Sequence, residues 1–275
     1  MFEKNNKNAF LIMAIAMVVA SVAFFSYISP ATIDDSWASK EIRKWGDKGV
    51  FGGSSYENLK PDNLMLKAEF LIVLDNILNL PETEDMTFND IADDAWYRGH
   101  ISRCVAAGII SPDEEGNINP TSPIKREEAA VILANVFKLK AKDSNAVNVY
   151  KDADEIDDWA LDAMNAMVER GYMIGRTEGK IGAQRLLLWA DGVKLIDNVA
   201  GDLYYKPGTY SEDVDSNLVI NTKGIILKDM TINGNLYLTQ GIGNEKIRLE
   251  NVNVKGDIVI LGNAQVEMVQ SNQSN

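Results

Sequence analysis

The chain has 275 residues, 46% of them apolar, which is enough for a sizeable core and too many for wholesale disorder. Its formal net charge of −13 repels nucleic-acid phosphate and anionic lipid and sets both aside as partners. With one cysteine, Cys104, and one histidine, His100, there is no intramolecular disulfide, and a zinc site or a nucleophile–histidine pair has only these two residues to draw on. Neither a metal nor a cofactor is expected.

Lys4 and Lys7 precede Ala9–Ile28, twenty residues without a charge. Cations followed by an apolar run form an export pattern. Ser29-Pro30-Ala31 suits cleavage after Ala31, yet the run is also long enough to span a bilayer. Residues 1–31 therefore read as a cleaved signal peptide or a retained membrane anchor. In both cases Thr32 onward lies outside the membrane.

Residues 32–201 carry an internal repeat. Trp37, Trp96 and Trp159 align at offsets of 59 and 63. Gly49, Gly108 and Gly171 fall at the same offsets, as do Leu59, Ile118 and Ile181, then Glu69, Glu128 and Asp191, then Asn76, Asn135 and Asn198. Spacing that is fixed inside units and elastic between them marks a repeated structural unit. The units run over about 32–82, 86–140 and 149–201. Each reads as helix, loop, helix. In the second, Trp96, Ile101 and Val105 lead to a stop at Gly108, and Ser122 and Pro123 are expected to cap and open the next helix. One hairpin cannot bury its apolar face alone, whereas three together can. Cys104 aligns with Trp45 and Met167 and is expected in the core; His100 is expected at its boundary.

These residues resemble S-layer homology repeats. The opening aromatic-x-Asp-aliphatic motif corresponds to Phe88-Asn89-Asp90-Ile91 and, more loosely, Tyr150-Lys151-Asp152-Ala153. The apolar-x-Pro turn corresponds to Leu59-Lys60-Pro61 and Ile118-Asn119-Pro120. The Thr-Arg-Ala-Glu signature corresponds to Leu66-Lys67-Ala68-Glu69 and Lys125-Arg126-Glu127-Glu128. The resemblance implies a pseudo-three-fold bundle with grooves between repeats that bind secondary cell-wall polysaccharide, often through a pyruvylated sugar. The groove candidates it implies are Lys67, Arg126, Glu69, Glu128, Asp90, Asp152, Trp37, Trp96 and Trp159. Packing between repeats is an equal reading for the three tryptophans, and helix capping with ion pairing alone is the preferred reading for the two glutamates. The third unit reads Leu188-Trp189-Ala190-Asp191 and has no cation, so at most two grooves suit an anionic sugar. The acidic run Asp152–Asp158 reads as a solvated loop, since its spacing fits no calcium loop.

From 202 to 275 the pattern changes to short apolar runs between Gly and Asn. Leu227–Leu238 aligns with Leu249–Ile260 at an offset of twenty-two. Such rungs suggest a short parallel β-helix of roughly three coils. Its scattered carboxylates form no catalytic pair, so a spacer or assembly surface fits better than an enzyme. The expected fold class is α+β multidomain: a helical pseudo-three-fold bundle, then an all-β solenoid. The expected function is a non-catalytic cell-surface protein held to the wall by polysaccharide, with self-assembly or a protein partner at the terminal coils. The alternative is a membrane-tethered assembly protein whose degenerate repeats bind protein instead of glycan.

Overall fold

The computed structural model describes residues 32–52 and 56–269, and the signal-or-anchor reading of 1–31 lies outside the described residues. Among the described residues six α-helices come first: α1 (Ser39–Asp47), α2 (Lys67–Leu78), α3 (Arg98–Ala106), α4 (Arg126–Val136), α5 (Leu161–Glu169) and α6 (Trp189–Ala200). They pack as α2 on α3, α4 on α5 and α6 on α1, so the second helix of each unit meets the first helix of the next, and the ring closes.

A triangle of backbone hydrogen bonds marks the pseudo-three-fold axis. The amide of Met65 donates to the Leu187 carbonyl, that of Leu187 to Ile124, and that of Ile124 to Met65, each at 2.9 Å. All three side chains are buried. Two residues further on, the amides of Lys67, Arg126 and Trp189 donate to the carbonyls of Ser122, Arg185 and Asn63. This triangle explains a difference from the sequence reading. Ser122 and Pro123 do not cap α4, which begins at Arg126, because the preceding stretch is committed to the axis: Pro123 bridges to Leu66 and Lys125 to Leu186.

Elsewhere the repeat positions hold their roles. Gly49, Gly108 and Gly171 end the first helices with φ of +75°, +69° and +68°, a region costly for a residue with a Cβ. Asn76, Asn135 and Asn198 donate to the carbonyls of Val50, Ile109 and Tyr172, tying each second helix to the loop after the first. Trp45, Cys104 and Met167 are all fully buried.

Eight short strands follow: β1 (Asp202–Tyr204), β2 (Gly208–Tyr210), β3 (Leu218–Ile220), β4 (Ile225–Ile232), β5 (Leu236–Leu238), β6 (Lys246–Val254), β7 (Ile258–Ile260) and β8 (Gln265–Val269). They stack in two parallel sheets, β1-β3-β5-β7 and β2-β4-β6-β8. The solenoid thus has about four coils, one more than the sequence reading expects. The additional coil, Asp202–Tyr210, has strands of only three residues and makes no match to the twenty-two-residue register. That register is real one step later, where Leu227 pairs with Leu249.

The solenoid is docked on the bundle. Leu203, Val219, Tyr237 and Leu261 share one buried core with the helices, and Tyr237 meets Phe137 edge-on at 4.8 Å. Helix C-termini leave carbonyls unpaired, and the coils supply donors. Asn217 Nδ2 reaches the Val199 carbonyl at 2.7 Å, Asn221 Nδ2 that of Ile77 at 3.0 Å, and Thr239 Oγ1 that of Leu78 at 2.7 Å.

Candidate functional site

The ring arrangement creates three equivalent seams. Each sets the first residue of one second helix against the third residue of the next. The pairs are Lys67 with Glu128, Arg126 with Asp191, and Trp189 with Glu69.

In the first seam Lys67 Nζ lies 3.0 Å from Glu128 Oε1. The other oxygen of Glu128 accepts the Lys125 amide at 2.8 Å, so one carboxylate both caps α4 and neutralises the lysine. A cavity of about 360 Å³ opens here, lined by Lys67, Ile109, Ile118, Glu128, Asn135 and Trp159.

The second seam holds a cavity of about 420 Å³, lined by Trp37, Arg126, Tyr172, Arg176, Asp191 and Lys194 among others. Arg126 is 7% exposed. Its Nη2 donates to the Ile174 carbonyl at 2.8 Å, but its Nε is buried and has no partner. Among the described residues no carboxylate comes within ion-pairing distance of this guanidinium. Asp191 is one methylene shorter than Glu128, and it is held by Arg176 at 2.5 Å. Burial, with the Arg176 charge nearby, pushes the Arg126 pKa down to about 10.

The third seam is filled. Trp189 donates from Nε1 to Glu69 Oε2 at 3.1 Å and meets Phe51 edge-on at 5.7 Å. Glu69 also caps α2 through the Leu66 amide at 2.8 Å.

The structure brings Lys67, Glu128 and Trp159 into one cavity and Arg126 and Trp37 into another. Trp37, Trp96 and Trp159 are 61%, 71% and 56% exposed, so they are not packing anchors between repeats. Trp96 lines neither cavity and rests against Tyr97. Asp90 and Asp152 also lie outside both cavities. Asp90 accepts the amides of Ile118 and Asn119, and Asp152 those of Ile181 and Gly182, which staples each unit's opening to its turn. Asp152 is consequently buried, a departure from the solvated run expected there; Asp154, Glu155, Asp157 and Asp158 remain exposed. His100 is half-buried with Nδ1 2.5 Å from Asp75 Oδ2.

Sequence reasoning missed Arg176 and Lys194. Lys194 aligns with Ile72 and Val131, so a cation replacing two apolar residues was the available signal. Arg176 sits in a loop and carried none.

The S-layer homology domain model matches residues 87–130 and 149–187. A surface-layer 125 kDa protein of Lysinibacillus sphaericus is 29% identical over 63% of this chain and 15% of its own length. The S-layer protein sap of Bacillus anthracis is 24% identical over 88% of this chain and 30% of its own length. An endoglucanase of Bacillus sp. is 23% identical over 60% of this chain and 18% of its own length. The chain therefore spans less than a third of each of these relatives. The relatives differ in named activity. The chain carries S-layer homology domains at 87–130 and 149–187, and these together with its surface-layer relatives point to the bacterial cell surface.

Proposed function

We propose that the helical bundle (32–201) is a non-catalytic wall anchor whose seams hold an anionic sugar of secondary cell-wall polysaccharide, such as one bearing a pyruvyl ketal. The solenoid (202–275) is carried outward on it as a rigid display or assembly element. The observation that carries the reading is Arg126, a buried guanidinium with an unpartnered Nε beside the exposed face of Trp37. A carboxylate is the natural partner for that group, and an exposed indole packs well on a sugar ring. Repetition along a polymer raises retention by raising the local concentration of the ligand.

The test is co-sedimentation with purified sacculi, with and without extraction of the secondary polymer. The wild-type chain should sediment with intact sacculi only, and Lys67→Ala with Arg126→Ala should abolish sedimentation. Undiminished sedimentation of that double variant removes the groove mechanism, and leaves repeats that bind through protein contacts.

A further inference from the structure

Two of the three seams carry their own counter-ion or hydrogen-bond acceptor, and one does not. Lys67 is neutralised by Glu128, and the Trp189 indole is satisfied by Glu69. The matching acid of the remaining seam, Asp191, is drawn away by Arg176, whose Nη1 stands 2.5 Å from Asp191 Oδ1. The other cation in that cavity, Lys194, is also occupied, with Glu41 Oε1 at 2.7 Å. Arg126 alone is left with a carbonyl on one nitrogen and nothing on Nε.

We infer that the bundle has a single carboxylate site, the Arg126 seam, and that Arg176 and Glu128 decide this: Arg176 by holding Asp191 off Arg126, Glu128 by closing the Lys67 seam to anions. The inference rests on the wall-anchor reading and sharpens it. A partly buried charge pair such as Lys67–Glu128 resists an incoming anion because the ligand must displace a carboxylate already paired with the cation. A buried cation without a counter-ion gains from any carboxylate that fits. The Lys67 cavity, lined by Ile109, Ile118 and Trp159, is left to accept the neutral ring of a sugar.

The shape of the seams assigns a role to each residue. Glu128 can become glutamine without losing its cap, since a Gln oxygen still accepts the Lys125 amide. That variant frees Lys67 while leaving the helix start intact. Arg176 lies in a loop at the surface, its side chain 35% exposed, so its replacement leaves the core helices in place. Arg176→Gln releases Asp191 to face Arg126 and turns the open seam into a copy of the closed one.

The experiment is calorimetric titration of the full chain with a methyl hexopyranoside carrying a 4,6-pyruvyl ketal, with its methyl ester as the uncharged control. The wild-type chain should take up one equivalent. Arg126→Ala should lose binding, and Arg176→Gln should weaken it at least tenfold. Glu128→Gln should raise the stoichiometry from one to two. Two equivalents in the wild type, or an unchanged isotherm for Arg176→Gln with a folded far-ultraviolet spectrum, overturn the inference. Sacculus binding by the wild type separates the two claims. If the chain sediments with sacculi but both cationic seams take the ketal equally, only the single-site inference falls. If it does not sediment at all, the wall-anchor reading falls with it.

Discussion

The Nε1 of Trp189 donates to Glu69 Oε2 at 3.1 Å, and the indole thereby occupies the place that Lys67 and Arg126 hold in the other seams. One position in a three-fold frame has been filled by an ammonium, a guanidinium and an aromatic ring. The frame is shared because it is built from backbone, in the Met65–Ile124–Leu187 triangle, while the seam chemistry is left to side chains free to differ. Trp189 is thus a structural wedge against Phe51. Trp189→Ala should cost about 2–3 kcal/mol of unfolding free energy, the lower range for a large aromatic that is only partly buried. Urea titration reads this, and sacculus binding by the folded fraction should be unchanged.

The junction between bundle and solenoid should make the described part of the chain one cooperative unit. All five tryptophans lie in the helical part, so indole fluorescence follows the bundle alone, while the far-ultraviolet signal follows both. Asn217→Ala leaves the Val199 carbonyl without its donor, removes the acceptor of the Asn235 amide, and should cost about 1–3 kcal/mol. Both signals should shift together. A fluorescence transition that stays in place while the far-ultraviolet transition moves would mean that the coils unfold separately.

Gly201 joins α6 to β1 with φ of +67°, and a Cβ there would lie 2.0 Å from the Asn217 carbonyl oxygen. Gly201→Ala combines backbone strain with a collision against main chain that cannot turn aside. It should cost about 3 kcal/mol or more. Thermal unfolding should show a drop larger than that of any other single change proposed for the junction.

Asp152 gives a pH dependence with a definite sign. Burial alone would raise its carboxyl, but the Ile181 and Gly182 amides outweigh that and hold it below its ordinary value near 3.8. A carboxylate depressed in the folded state adds stability that is complete above the unfolded pKa and disappears as pH falls through the folded one. Asp152→Asn should therefore be less stable than wild type by about 1–2 kcal/mol at pH 7. The gap should narrow steadily below about pH 4. Urea midpoints for both chains between pH 2.5 and 7 test it.

Asp229 and Asn251 both adopt left-handed backbone, with φ of +50° and +52°, and Asn251 Nδ2 donates to Asp229 Oδ1 at 2.9 Å across neighbouring coils. Asn and Asp tolerate that conformation, and a β-branched residue does not. Asn251→Val should cost about 1–2 kcal/mol, whereas Asn251→Gly should be close to neutral in the same denaturation assay.

The offsets of 59 and 63 made the frame readable because a closed ring imposes the same steric demands on every unit. Glycine stops, asparagine ties and core positions such as Trp45, Cys104 and Met167 are all local consequences of it. The first coil was hidden for the opposite reason. Its three-residue strands are too short to alternate, and their side chains are shaped by contact with α1 and the bundle end, as where Lys48 Nζ reaches the Leu203 carbonyl at 3.0 Å. In the seams, the presence of Lys67 and Arg126 could be read, but not which was free. That depends on the loop placing Arg176 against Asp191, a contact between residues whose spacing follows no repeat.

The most direct test of the anchor is the side-chain resonance of Arg126 itself. In a ¹H–¹⁵N spectrum of the full chain, its Nε–H signal should move downfield when released wall polysaccharide is added, and should stay in place when the added polymer has lost its acidic substituents. A signal unmoved by the intact polymer, while other resonances of the bundle shift, would contradict the claim that an anionic sugar completes this buried cation.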